Sequence, residues 1–134
     1  GSLKAVTKSD ELVFTSQLLI IIQGNLVSDF RLEHVNVPSQ NPHDLAKWYA
    51  ETFGLFADKH VARGDGILIA FQQGTPINQP EVLHIGFRVH GMAKLHEWKD
   101  RFEKPLKIGP EFTSFQILDP EGNCIEIYTE NASA

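Results

Sequence analysis

The chain has 134 residues, enough for one domain with a modest core, and 42% of them are hydrophobic. Its formal charge is −5, with 12 Lys and Arg against 17 Asp and Glu, which argues against nonspecific binding to nucleic acid or to an anionic membrane surface. The single cysteine, Cys124, excludes an intramolecular disulfide and fits a reducing cytoplasm, and no apolar run is long enough to span a bilayer.

Gly1-Ser2 reads as a tag remnant and is left out of the fold reasoning. Residues 3–30 read as an N-terminal extension. Its residues 12–22 are the most hydrophobic stretch, but Glu11 and Gln17 interrupt the pattern and no A-x-A site follows, which weighs against a signal peptide. Short apolar periodicity leaves this segment open between helix and strand, packing on the domain or on a second subunit.

Residues 31–130 form one domain, read as module one, 31–74, and module two, 81–130. Residues 32–38 alternate as a strand, with Val35 and Val37 on one face and His34 and Asn36 on the other. Asn41-Pro42-His43-Asp44 starts a helix, Leu45, Trp48, Tyr49 and Phe53 form its stripe, and Gly54 ends it. Phe56 to Arg63 reads as one strand, Gly64-Asp65-Gly66 as a turn and Ile67 to Gln73 as a second strand. Val82 to His90 opens the second half as a strand. Met92, Leu95, Trp98 and Phe102 mark a helix that Pro105 forbids from continuing. Lys107 to Thr113, Ser114 to Leu118 and Cys124 to Thr129 read as strands, the last after an Asp119–Asn123 turn. The class is α+β with a mainly antiparallel sheet.

The two halves repeat. A shift of 50 positions carries His34 onto His84, Val35 onto Ile85, Leu45 onto Leu95 and Trp48 onto Trp98 without a gap. In the module-two strands, Leu83, Ile85, Phe87 and Val89 share a helix-facing side, as do Ile125 and Ile127. His84, Gly86, Arg88, Cys124, Glu126 and Tyr128 fall on the other side, as do His34 and Asn36 in module one. If helices cover one side only, His34, His84 and Glu126 line one concave surface. Two imidazoles and a carboxylate form a facial triad that leaves positions open on Fe, Mn or Zn. Aligning Gly66–Phe71 with Asn123–Tyr128 places Ile69 opposite Glu126, so three protein ligands are expected, not four.

Plainer readings stand beside these. A strand histidine is more often hydrogen-bonded or exposed than a ligand, and a glutamate between two isoleucines usually marks a solvated face. Arg88 suits an anion or a salt bridge with Glu126 or Glu81. Asn36 and Tyr128 suit substrate contact or a bond to each other. Cys124 reads as a small buried hydrophobe, the tryptophans as core, and His43, His60, His90 and His96 as exposed.

The order HVNVP, helix, FGL, then LHIGFRV, then LDPEGNCIEIY resembles the vicinal oxygen chelate superfamily of glyoxalases, bleomycin resistance proteins and dioxygenases. The most specific piece is Asp119-Pro120-Glu121-Gly122-Asn123-Cys124-Ile125-Glu126, similar to the family's D-P-x-G-N-x-I-E run. The resemblance implies two tandem βαβββ modules forming a curved, mixed, mainly antiparallel sheet around a metal cleft. The Phe56–Gln73 stretch, however, shows two strands where that plan needs three. The implied metal ligands are His34, His84 and Glu126, with Glu126 also catalytic and Arg88, Asn36 and Tyr128 contacting substrate. The implied cofactor is a divalent metal: Fe, Mn, Ni or Zn. The implied function is a cytoplasmic, metal-dependent lyase, isomerase or dioxygenase acting on a small substrate that chelates through adjacent oxygens. The alternative is a metal-free binding module of the bleomycin resistance kind. A homodimer is expected on either reading, and in such proteins His34 of one subunit can meet His84 and Glu126 of another.

Overall fold

A computed structural model of the chain describes residues 28–132. Two compact units divide between Glu33 and His34. Nearly all of the N-terminal extension, with its choice between helix and strand, lies outside the described residues; Ser28, Asp29 and Phe30 are exposed and form neither.

The second unit runs β1 (Val35–Ser39), α1 (Pro42–Phe53), β2 (Phe56–Asp58), β3 (Val61–Gly64) and β4 (Ile67–Gln73). It then repeats the order with β5 (His84–Arg88), α2 (Met92–Phe102), β6 (Lys107–Ile108), β7 (Phe112–Leu118) and β8 (Cys124–Glu130). This is α+β architecture in two βαβββ modules. The strands form two four-stranded mixed sheets, in the orders β1-β4-β3-β2 and β5-β8-β7-β6. β1 pairs with β4, and β5 with β8, in parallel; the other pairings are antiparallel.

Phe56–Arg63 is not one strand. Lys59, at φ 55°, turns the chain at Lys59-His60, so the first module contains its third strand after all. In the second module, β7 starts at Phe112, and only Lys107 and Ile108 form the strand before it.

Pro42 stands at the start of α1, and Asp44 complements the dipole of its first turn. Asn41 occupies the cap position without a side-chain cap bond. Glu121 from the second module serves that end instead. Its carboxylate accepts from Ser39 Oγ at 2.5 Å, Gln40 N at 2.7 Å and Asn41 N at 3.3 Å. Gly54, at φ 70°, closes the helix in the left-handed conformation that glycine adopts without cost. α2 ends on Glu103, at φ 53°, with no glycine to relieve it.

The helix-bearing sides of both sheets share one core. Tyr49 of α1 packs on Phe71 of β4 with ring centroids 5.1 Å apart. Phe53 of α1 reaches Phe87 of β5 at 4.9 Å and Trp98 of α2 at 6.0 Å. Leu45, Tyr49, Ile69, Phe71, Leu95, Ile125 and Ile127 are nearly solvent-free, and Trp48 and Trp98 pack against them. Burying a side chain of this size contributes about 1.5–3 kcal/mol.

The Asp119–Asn123 turn fastens the modules together. Asp119, 5% exposed, accepts from Tyr49 Oη at 2.6 Å, Glu121 N at 2.8 Å, Asn123 N at 3.0 Å and Asn123 Nδ2 at 2.8 Å. Gly122, at φ 85°, makes the turn, and Asn78 Nδ2 donates to the Glu121 carbonyl at 3.3 Å. Among the described residues no helix is long and apolar enough to cross a membrane.

Candidate metal centre

Strand register sets the site. Gly86 lies opposite Glu126, and His84 lies opposite Cys124, two residues earlier on β8. Side chains two apart on a strand share a face, so His84 and Glu126 are diagonal neighbours on the side of the sheet without a helix. His84 Nε2 and Glu126 Oε2 stand 2.9 Å apart, with the side chains 36% and 24% exposed. They are joined yet still open to a ligand.

The pair lies in a cleft of about 720 Å³ that extends over β7 to Lys107. Gln116 faces Glu126 from β7. Gly86 leaves its place on β5 without a side chain; a Cβ there would touch only the Tyr128 ring, at 3.6 Å. Phe112 meets Tyr128 edge-on at 5.6 Å and forms an apolar flank.

The spacing of the pair fits a metal. Two ligand atoms about 2.1 Å from an ion and at right angles to each other stand about 3 Å apart. The observed 2.9 Å therefore matches neighbouring corners of one coordination sphere. One imidazole and one carboxylate suit Fe, Mn, Ni or Zn, and a third ligand would complete a facial set.

That third ligand is not supplied alongside them. His34, exposed, immediately precedes β1 on the other sheet. Among the described residues no three His, Cys, Asp or Glu side chains come together as a metal-holding group. The helix sides of both sheets face the shared core. β1 and β5 nonetheless share a cavity of about 320 Å³ that Asn36, Leu83, His84 and Cys124 line.

The register also corrects the expected fourth position. Val35 pairs with Ile69 and Asn36 with Ala70, whereas Ile85 pairs with Ile125 and Gly86 with Glu126. Ala70, not Ile69, is therefore the counterpart of Glu126, and Ile69 is 2% exposed in the core. Ala70 has no donor atom either, so the absence of a fourth carboxylate stands.

The other candidates are placed as follows. Arg88 Nη2 bonds Glu130 Oε1 at 2.7 Å, rather than Glu126 or Glu81. Asn36 Nδ2 donates to Gln72 Oε1 at 2.8 Å, not to Tyr128. Tyr128 lies on the Glu126 side of β8. Cys124 is 4% exposed; burial first, then the Glu126 charge, pushes its thiol above the ordinary range, so it is no nucleophile. His43, His60, His90 and His96 are exposed. Sequence reasoning missed Lys107, Ser114 and Gln116. The alternation of Phe112, Ser114 and Gln116 with buried Thr113, Phe115 and Ile117 carried the signal, but reading a strand boundary at Ser114 broke it.

Solved structures share this fold. An oxidase titled ChaP-H1 superposes with a TM-score of 0.61 at 20% identity, over 78% of this chain and 99% of that one. Lactoylglutathione lyase from Agrobacterium tumefaciens gives a TM-score of 0.53 at 20% identity, over 76% and 95%. A glyoxalase/bleomycin resistance protein/dioxygenase from Alicyclobacillus acidocaldarius gives 0.57 at 12% identity, over 80% and 96%. The chain thus has the fold of the glyoxalase/bleomycin resistance protein/dioxygenase group, the vicinal oxygen chelate fold. No protein-family model and no curated protein matches the sequence.

Proposed function

We propose that the chain is a divalent-metal-dependent enzyme acting on a small substrate that chelates the metal through adjacent oxygens. We infer that it works as a homodimer in which His84 and Glu126 of one subunit and His34 of the other hold each metal. The observation that carries this reading is the 2.9 Å pairing of His84 with Glu126 in an open cleft.

The sheet edges support the pairing of two chains. β2 and β6 are edge strands of three and two residues, too short to template much pairing. β1 and β5 are five-residue edges, and neither pairs with a further strand among the described residues. Apolar residues stay exposed beside them: Val35 at 43%, Leu83 at 51% and Val82 at 74%. A second copy would pair these edges and cover these side chains.

When bound, the metal would act as a Lewis acid, stabilising negative charge that develops on the chelating oxygens. The protein's own residues supply the rest. His84 and Glu126 would hold the ion and leave coordination positions for substrate. Glu126, with its second carboxylate oxygen, is placed to take up or return a proton at a chelating oxygen. Gly86 gives the substrate room beside Glu126, and Phe112 and Tyr128 shield it from water. Asn36 and Tyr128 would orient it from the two sheets, while Arg88 acts through its pairing with Glu130 on the cleft side.

Elemental analysis for Fe, Mn, Ni and Zn tests the reading on protein purified without chelator. Near-stoichiometric metal that disappears in His84→Ala is the expected result. Unchanged metal content in that variant, or no metal even after reconstitution, would refute it.

A further inference from the structure

One row of side chains, two of which line the cleft, is not used by metal binding. Lys107 lies opposite Ser114, Ser114 opposite Tyr128, and Tyr128 opposite Arg88. The row crosses all four strands of the second sheet on the side that carries Glu126. It is displaced by one side-chain step from the row of Gly86, Glu126 and Gln116.

Its members differ in availability. Arg88 is engaged by Glu130. Lys107 has no ion pair among the described residues, and neither the Ser114 nor the Tyr128 hydroxyl has a hydrogen-bond partner there. Lys104 lines the same cleft, also without an ion pair among the described residues. The cleft's other carboxylates, Glu81 and Glu111, stand in the loops before β5 and β7, off the row. An ammonium and two uncommitted hydroxyls on one row of the sheet, Lys107 and Ser114 lining the cleft and Tyr128 beside Ser114, match an oxyanion, whose lone pairs accept from all three.

The spacing limits the size of the ligand. Successive same-side residues on a strand are about 7 Å apart and neighbouring strands about 4.8 Å apart. An oxyanion on this row would therefore lie roughly 7 Å from the Glu126 level, about the width of an aromatic ring with its substituent. The edge-on Phe112–Tyr128 pair flanks that interval with apolar surface.

We propose that Lys107, Ser114 and Tyr128 form a carboxylate subsite, and that the substrate carries a carboxylate about one ring's width from its chelating oxygens. This rests on the metal-dependent reading above and specifies the substrate class of that same site.

The test compares two probes by calorimetry on the full-length Zn-loaded protein: catechol and 3,4-dihydroxybenzoate, which differ by one carboxylate. The carboxylate should tighten binding by about tenfold, the scale of one charge-assisted hydrogen bond. Lys107→Met should bring the two affinities together, Ser114→Ala should narrow the gap, and Lys107→Arg should restore it. Equal affinities in the unsubstituted protein would overturn the subsite, as would an advantage that survives Lys107→Met. A Lys107-dependent preference for 3,4-dihydroxybenzoate that persists after metal removal would uphold the subsite and refute the metal-dependent reading. If neither probe binds, both fail.

Discussion

The diagonal contact between His84 and Glu126 is the smallest unit of the account. Each side chain stabilises the other without metal, and together they offer two ligands at coordination spacing. Glu126→Ala should therefore abolish metal retention while leaving the fold intact, since the carboxylate is partly exposed and outside the core. Far-UV circular dichroism alongside metal analysis checks both halves. In the sequence the repeat singled out His84, and strand parity placed Glu126 on the same face, as the register has it. The repeat alignment misplaced the counterpart of Glu126 by one residue. Matching Gly66–Phe71 with Asn123–Tyr128 lies one residue off the observed register, and a slip of one residue moves a side chain to the opposite face.

Tyr49 gives a second prediction at this scale. Burial, then its bond to Asp119, holds its hydroxyl well above the ordinary tyrosine range. In the unfolded chain it ionises near the ordinary tyrosine value of about 10. Its contribution to stability is thus complete below that pH and declines as pH rises beyond it. Tyr49→Phe should cost about 1.5–3 kcal/mol at neutral pH, the value of a hydrogen bond to a charged group. It should also flatten the loss of stability above pH about 10. Urea unfolding at neutral and alkaline pH measures both effects.

At the scale of elements, sequence patterning located both helices and six of the eight strands in outline. β2 and β3 merged because the turn between them is Lys59-His60, which contains no glycine, proline or asparagine to announce it. The two helix ends make a paired prediction. Gly54→Ala should lose about 1 kcal/mol or more, because a Cβ is disfavoured at positive φ. Glu103→Gly should be neutral or stabilising by up to about 1 kcal/mol, because it relieves the same conformation at the end of α2. Thermal melts of the two variants should move in different directions. The Asp119–Asn123 run, the most family-specific stretch of the sequence, turns out to join the modules. Glu121→Ala would leave Ser39 Oγ and the Gln40 amide, just before α1, without their acceptor. It should cost about 1–3 kcal/mol in a denaturant titration.

At the scale of the whole molecule, the sequence implied two modules but not how they face each other. Hydrophobic periodicity tells which side of a sheet is buried and is silent on what buries it. Phe53 shows the difficulty: in the sequence it completes the α1 stripe, and in the structure it packs on β5 and α2 of the other module. That packing puts the helix sides of both sheets in the core, and among the described residues no three His, Cys, Asp or Glu side chains form a metal-holding group. The proposed shared site is the arrangement that would unite all three residues.

Complementation tests the shared site most directly. His34→Ala protein retains an intact His84 and Glu126, and His84→Ala protein retains an intact His34. Each homodimer should bind no metal. After unfolding, mixing in equal amounts and refolding, about half the dimers should be mixed, each with one complete site of two. Metal content should then recover to about a quarter of the unsubstituted level. Failure of the mixture to recover any metal, with dimers reformed and each parent variant metal-free, would contradict a site built across two chains.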